Sequence, residues 1–336
     1  MPPDAVPPEI RAIADARADA RRARDWATAD RLKDELEAAG WKVVDAATLY
    51  TLERAAPPDV EVGGTVRYGS TASVPSRLDD APVGVATVVI VAEDDVTTAI
   101  RQAEAVAEAS PDGTQVVIVA NAPPDADGDA LAALDRLDAA DPGAPGVVTE
   151  VVRTATRLGA AAAWNVGLRR AAAPVVVLPG PGIVAPAGLV PAIVAALEDP
   201  SVAVAGPVGL VSDDLRAFLS APSDAVDVDA IAGDAIGFRR EDAVARGLLD
   251  EHFVAPDHLA TWWSLVLRDP SDDAGEDAEP RRAVQVPVEI AGTGEPPADD
   301  DADPARARLA KRNFYRFLKR FATRRDLIRS GARRDG

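Results

Sequence analysis

Short apolar runs alternate with segments of helical periodicity between residues 86 and 269. Apolar runs of this length, bounded by polar or Gly/Pro-containing segments, predict buried strands. The alternation predicts an α/β fold in which a mostly parallel sheet carries helices on both faces. The predicted strands are Ala86–Ala92, Gln115–Ala120, Val147–Val152, Pro174–Leu178, Val202–Val208 and, further along, Ala283–Ile290; the predicted helices are Val96–Ala109, Ala160–Ala172 and Pro186–Glu198.

The flanking segments have different patterns. A helix rich in Ala, Arg and acidic residues is predicted over Ile10–Ala39, with Gly40 as its stop and Trp41–Val44 as a short strand. Residues 54–85 are rich in Pro, Gly and Ser with no sustained period, which predicts a linker or a loosely packed layer. We therefore expect an N-terminal helical segment (1–53), a linker (54–85), a main domain (86–304) and a basic C-terminal helix (305–336).

Charge is unevenly distributed along the chain. The 336 residues include 36 Lys and Arg against 55 Asp and Glu, for a net charge of −19. Residues 305–336 carry +10 of this charge, so the remainder carries −29. An acidic body repels phosphate backbones, and nucleic acid is not an expected partner. The absence of cysteine excludes disulfides, thiolate nucleophiles and cysteine metal sites.

One uncharged stretch, Ala171–Leu197, is long enough to span a bilayer. It contains five prolines and three glycines, which a lipid-facing helix does not tolerate in such number. We predict a buried strand, a loop and a short helix instead. The N-terminus lacks a basic region followed by an apolar run, so a cytoplasmic protein is expected, with peripheral contact to the inner face of the membrane as an alternative.

Residues 10–45 resemble the C-terminal helix of cysteinyl-tRNA synthetases. The resemblance rests on the succession Ala16–Leu36, which holds an Ala-Asp-Arg and an Asp-Glu-Leu, followed by Gly40, Val43 and Asp45. None of the catalytic signatures of the synthetase occurs. Two roles remain open, namely an amphipathic helix docked on a partner domain and a tRNA-contacting module.

Residues 86–269 resemble family 2 glycosyltransferases, which have the GT-A nucleotide-diphospho-sugar transferase fold. The resemblance rests on segments in the family's order: Thr87–Val91, Gln115–Asp125, Arg157–Leu168, Val175–Val184, Asp199–Pro207, Gly233, Phe238–Arg240, Gly247–Phe253 and Asp257. It implies a nucleotide-sugar donor and a sugar or lipid acceptor. In that family a carboxylate deprotonates the acceptor hydroxyl, and a divalent metal neutralises the departing diphosphate.

The acidic residues that the family uses are largely replaced in this chain. The metal-binding Asp-x-Asp falls on Pro179 and Pro181, and the base-recognising aspartate falls on Ala120. The family's arginine before the Asn-x-Gly falls on Trp164. Proline offers no side-chain ligand, so Mn²⁺ or Mg²⁺ is expected only if a non-standard site exists.

Six residues remain as candidates for the site. Asp257, in the position of the acceptor motif, is the candidate base, although an exposed or N-cap carboxylate is the alternative for it. The resemblance assigns nucleotide-sugar binding to Glu93, Asp94, Asn121, Asn165 and Asp234, and these residue types also serve turns and helix caps. Two functions follow: a sugar transferase, or a non-catalytic pseudo-glycosyltransferase used as a binding or scaffold module.

The C-terminal segment predicts a basic amphipathic helix, in which Phe314, Phe317 and Phe321 are at helical spacing among Arg and Lys residues. Packing of these aromatic residues on the acidic body is the first interpretation. Contact with an anionic membrane surface or with an acidic partner protein, through residues 305–336, is the second.

Overall fold

The computed structural model describes residues 6–46, 49–54, 57–122, 128–138, 146–270, 279–290 and 304–328. The chain divides between Ser70 and Thr71 into two units, each with its own internal packing.

The first unit begins with two helices, α1 (Pro8–Arg22) and α2 (Trp26–Ala38). Two antiparallel hairpins follow: β1 (Trp41–Ala46) with β2 (Leu49–Arg54), and β3 (Val60–Val62) with β4 (Thr65–Tyr68). Ile10, Ala14, Leu36 and Trp41 form its core.

The prediction of one continuous helix over Ile10–Ala39 is wrong. Arg24 adopts a left-handed conformation with φ of 60°, which ends α1. The Asp25 carboxylate then accepts a hydrogen bond from the Thr28 amide (3.1 Å) and caps α2. Aspartate is a strong N-cap residue, and here this local bond competes successfully with helix continuation.

The second unit is built on a sheet. Its long strands are β5 (Ala86–Ala92), β6 (Thr114–Ala120), β7 (Val148–Thr154), β8 (Val175–Pro179), β9 (Val202–Gly206), β14 (Ala235–Arg239) and β15 (Arg282–Gln285). Shorter strands are β10 (Gly209–Val211), β11 (Leu219–Ser220), β12 (Asp227–Val228) and β13 (Ala230–Ile231). Within this unit the order is β12-β15-β9-β14-β8-β5-β6-β7. Strand β14 runs antiparallel to β8 and β9, whereas β5 is parallel to both β6 and β8.

Helices cover this sheet, and its strands are buried. The helices are α3 (Val96–Ala109), α4 (Gly128–Leu137), α5 (Ala160–Arg170), α6 (Leu189–Ala196), α7 (Arg240–Arg246), α8 (Leu259–Arg268) and α9 (Pro304–Phe321). Val88, Val89 and Ile90 of β5 are at most 1% exposed, so both faces of the strand are covered. The predicted α/β fold with a mostly parallel sheet is confirmed.

Several predicted boundaries shift by a few residues. The strand predicted at Ala283–Ile290 ends at Gln285, and the helix predicted from Pro186 begins at Leu189. The uncharged stretch Ala171–Leu197 contains β8, a loop and α6, as predicted. Over the ranges that the structure describes, no helix has both the length and the apolar character to cross a membrane.

The strand order determines where a ligand can enter. From β5 the chain proceeds to β6 and β7 on one side, and then returns to β8 on the other side. Such a reversal leaves a crevice outside the carboxyl ends of the two strands that flank it, where open α/β sheets bind their ligands. In this chain the crevice lies at the ends of β5 and β8.

Candidate functional site

A cavity of about 870 Å³ opens at this crevice. Its walls come from the segments that follow β5, β7 and β8, from the first turns of α3 and α5, and from the strip before α8. The lining residues with distinctive chemistry are Glu93, Asp94, Asp95, Arg157, Trp164, Pro181, Pro256 and Arg306.

An ion-pair cluster occupies the β5 side of the cavity. One guanidinium nitrogen of Arg157, Nη1, is 2.6 Å from Asp94 Oδ1, and the other, Nη2, is 2.7 Å from Glu93 Oε2. The hydrogen bond from Arg157 holds the pKa of Asp94 below its usual range, and the same bond raises the pKa of Arg157. The third acid, Asp95, accepts a bond from the Thr98 amide (2.9 Å) and caps α3.

Asn121 lies behind this cluster and is fully buried. Its Oδ1 accepts from the Leu158 amide (2.8 Å), and its Nδ2 donates to the Leu158 carbonyl (3.0 Å) and to Glu93 Oε1 (3.1 Å). The bonds join the end of β6 to the segment after β7. Asn121 therefore fixes the two walls that present Glu93 and Arg157, and it is not a lining residue.

Asn165 has a similar buried position on α5. Its Nδ2 donates to the Leu249 carbonyl (2.8 Å) and to Glu251 Oε1 (3.1 Å), and its Oδ1 accepts from the Leu249 amide (3.0 Å). The side chain thus ties α5 to the strip that leads to α8. In the described structure both predicted asparagines support the cavity from behind.

The strip before α8 runs across the N-terminus of α5. The amides of Ala160 and Ala161 donate to the carbonyls of Val254 (2.8 Å) and Phe253 (3.1 Å), which satisfies two of the helix's first N–H groups. Gly159 permits this approach, because a Cβ atom there would lie 2.9 Å from Val254 Cα.

Asp257 lies on the same strip, next to the lining residue Pro256, but is not itself part of the lining. Its side chain is 20% exposed, and Oδ2 is 4.0 Å from Nε of Arg306. That buried oxygen has no hydrogen-bond partner among the residues described. The next residue, His258, has φ of 62° and precedes α8.

The end of β8 is where a divalent cation would be expected. Pro179 is the last residue of β8, and Pro181 lines the cavity. Asp234 lies beside them through its backbone, whose carbonyl accepts from the Gly180 amide (2.8 Å). In the described part of the chain, no three His, Asp or Glu side chains converge on a metal-sized site. Glu93 and Asp94 are already held in ion pairs with Arg157, so this donor set does not fit a divalent cation.

The sequence analysis predicts Glu93 and Asp94 as ligand-binding residues, and both line the cavity. It assigns no role to Arg157 or Arg306. Arg157 could have been noticed, since it directly precedes Leu158-Gly159 at the start of a predicted helix. Arg306 could not, because only the packing of α9 places it at the cavity.

Comparison with known proteins gives partial likenesses. No protein-family model matches the chain. A 50-residue stretch is 48% identical to the cysteine–tRNA ligase of Opitutus terrae, covering 15% of this chain and 11% of that enzyme. This match confirms the predicted partial resemblance to cysteinyl-tRNA synthetases, and the chain spans about a tenth of that relative's length.

Many solved structures are similar to the chain, and three of them illustrate the likeness. A mannosyltransferase from Pyrobaculum calidifontis, in complex with GDP-Man and Mn²⁺, has 20% identity and a TM-score of 0.49, over 74% of this chain and 67% of its own. GalNAc-T7 with UDP, GalNAc and Mn²⁺ has 15% identity and a TM-score of 0.48, over 62% and 43%. TarS from S. aureus has 12% identity and a TM-score of 0.40, over 54% of each chain. The first of these is a mannosyltransferase by name, and likenesses at these identities and TM-scores carry no argument about this chain's activity.

Proposed function

We propose that the protein is a family 2-like glycosyltransferase that binds a nucleotide-sugar at the ends of β5 and β8 without a divalent cation. The observation that supports this function is the cavity at the strand-order reversal, with the candidate base on its bordering strip. Residues 86–269, which resemble family 2 enzymes, supply almost all of its walls.

In the proposed reaction, a carboxylate oxygen of Asp257 takes the proton of an acceptor hydroxyl. The acceptor oxygen forms a bond to the anomeric carbon, and the bond from that carbon to the phosphate oxygen breaks. The electron pair leaves with the nucleoside diphosphate. Arg157 and Arg306 are the cationic side chains among the described lining residues, and they supply the positive charge near the departing phosphates.

A second function, a non-catalytic binding module, is favoured by the charge of the lining. Three carboxylates (Glu93, Asp94 and Asp95) face two guanidinium groups, so the described lining has one net negative charge. This balance opposes a diphosphate and suits the hydroxyl groups of a neutral saccharide, which donate to carboxylates. Asp257, moreover, is set back from the lining.

Ligand titration separates the two functions. Calorimetry with UDP-, GDP- and dTDP-sugars, with and without Mn²⁺, should give binding that does not depend on the metal. Turnover that is lost in Asp257→Asn supports the transferase. Saccharide binding with no response to any of the nucleotides would exclude the transferase and retain the module.

We further propose peripheral contact between α9 and an anionic membrane surface. Arg308, Lys311 and Lys319 lie on the exposed side of the helix, together with Tyr315, which is 58% exposed. Each basic residue near an anionic bilayer contributes roughly 1 kcal/mol. Flotation with phosphatidylglycerol vesicles should therefore be lost in the triple variant Arg308→Glu, Lys311→Glu, Lys319→Glu, and unchanged flotation would refute the contact.

The domain division expected from the sequence also remains our proposal. In it, residues 1–53 form an N-terminal helical segment, 54–85 a linker, 86–304 the glycosyltransferase-like domain and 305–336 the basic amphipathic helix. Limited proteolysis that cuts first within 54–85 would support it, and initial cleavage within 86–270 would count against it.

A further inference from the structure

We propose that α9 holds one wall of the cavity in place and that Asn313 is the positioning residue for the strip carrying Asp257. Asn313 is 1% exposed. Its Nδ2 group donates to two backbone carbonyls of that strip, those of Ala255 (3.0 Å) and Asp257 (3.1 Å). The catalytic consequence rests on the proposed function, whereas the structural consequence does not.

Neighbouring residues of α9 hold the same strip at further points. Arg316 donates to the Asp250 carboxylate, and Arg312 donates to the His252 carbonyl (3.3 Å). Arg316 follows Arg312 by four residues and Asn313 by three, so it lies between them on one side of the helix. One face of α9 therefore contacts the strip along its length from 250 to 257.

The strip depends on such support because it has no regular structure of its own. Between α7 and α8, residues 247–258 belong to no helix or strand, although Val254, Ala255 and Pro256 line the cavity. His258 is in the left-handed region, which is unfavourable for a residue with a side chain and persists where the surroundings enforce it. Hydrogen bonds from the α5 backbone and from side chains of α5 and α9 thus take the place of a strand ladder.

Aromatic packing fixes the position from which Asn313 donates. Phe317 and Phe321 are buried, and their rings lie 5.8 Å from Phe218 and 5.2 Å from Trp262, in edge-on contact. Phe218 and Trp262 belong to the second unit, as α9 does, so these contacts make α9 part of the core of that unit. A buried donor in such a rigid frame determines the carbonyl positions more strictly than a solvated one would.

Asn313→Asp is the sharpest test, because it keeps the shape of the side chain while removing both donors and placing a carboxylate against two carbonyls. Asn313→Ser is milder and covers the case in which the aspartate variant fails to fold. Val106→Ala is the matched control, since it removes buried apolar contacts of α3 and leaves the docking of α9 and the Asn313 bonds intact. Amide hydrogen exchange of the full-length protein reports residues 253–259 directly.

We expect exchange in 253–259 to accelerate about 10-fold or more in Asn313→Asp and less in Asn313→Ser, with β5 and β8 unchanged. If the protein is a transferase, kcat should fall by a similar factor, with a KM for the nucleotide-sugar within about 2-fold of the wild type. Val106→Ala should lower global stability without this local pattern. Unchanged exchange in both Asn313 variants, or the same local pattern in Val106→Ala, would overturn the proposal. Absence of wild-type turnover would refute only the proposed function, because the exchange result is independent of it.

Discussion

Replacement of Arg157 by alanine tests the electrostatic account of the cavity most directly. The substitution leaves Glu93 and Asp94 without their common cation. The pairs are partly exposed, with Arg157 at 46%, Glu93 at 36% and Asp94 at 67%, so solvent screens them. Exposed pairs contribute about 0.2–1 kcal/mol each, and we expect a loss of about 1 kcal/mol in the free energy of unfolding. That corresponds to a fall in Tm of about 2–4 °C.

The same substitution should create a weak metal site where none fits now. Two freed carboxylates offer the oxygen ligands that hard cations prefer, and water can fill the remaining positions. We expect Arg157→Ala to bind Mn²⁺ with a Kd on the order of millimolar, which is typical of weak carboxylate sites. Loss of the signal of free Mn²⁺ in electron paramagnetic resonance measures this binding.

Arg101→Ala is the matched control. Arg101 lies on α3 and donates to Thr98 Oγ1 (2.7 Å), so its removal takes away a nearby positive charge but frees neither Glu93 nor Asp94. It should not gain Mn²⁺ affinity. Equal Mn²⁺ binding by the wild type, Arg101→Ala and Arg157→Ala would refute the reasoning that the ion pair excludes the cation.

The pH dependence of the Arg157 effect has a defined sign. Because Arg157 lowers the pKa of Asp94 in the folded protein from its ordinary value of 3.8, the pair stabilises the fold above that value. This stabilisation is lost as the pH falls from 3.8 through the lowered pKa. The difference in unfolding free energy between the wild type and Arg157→Ala should therefore be largest near neutral pH and shrink in acid. A difference that grows on acidification would contradict the assignment.

Two substitutions each test a contact inside one unit: a close approach in the second unit and a helix cap in the first. Gly167→Ala should destabilise the protein by about 1–3 kcal/mol, because the new Cβ would lie 2.1 Å from Cγ1 of the buried Val89. Thermal unfolding measures the loss, and Val89→Ala in the same chain should restore part of it. Asp25→Ala should cost the first unit about 1 kcal/mol through loss of the α2 cap, with Asp25→Asn recovering most of it in urea unfolding. Full stability of either single variant would contradict the packing described.

The sheet could be predicted from the sequence because its strands are buried on both faces. Short continuous apolar runs such as Val88–Ile90 and Val116–Val119 are typical of strands that are covered on both faces, and these residues are indeed buried. The break between α1 and α2, in contrast, was not predicted from the sequence. Its cause is a single side-chain cap at Asp25, and the helical periodicity of the flanking segments conceals it.

The sequence predicts a lining residue of the site only where a charged side chain directly follows a predicted strand. Glu93 and Asp94 directly follow β5, so their position at the crevice follows from the topology. Asn121 and Asn165 follow the family pattern equally well, yet their amides are consumed by buried bonds to backbone groups. Residue type and position along the chain do not reveal whether an amide faces a ligand or the core.

The basic C-terminal segment shows why charge alone does not reveal function. Its +10 could have been a detached patch or a neutralising surface, and within residues 304–328 the structure shows basic side chains of both kinds. Arg316 pairs with Asp250, and Arg324 pairs with Asp269 (2.6 Å), so part of the charge faces the acidic body. Lys311 and Lys319 lie on the exposed side. Since Phe317 and Phe321 are buried in packing, we expect any contact of this helix with a membrane to be mainly electrostatic and to weaken steeply as salt is added.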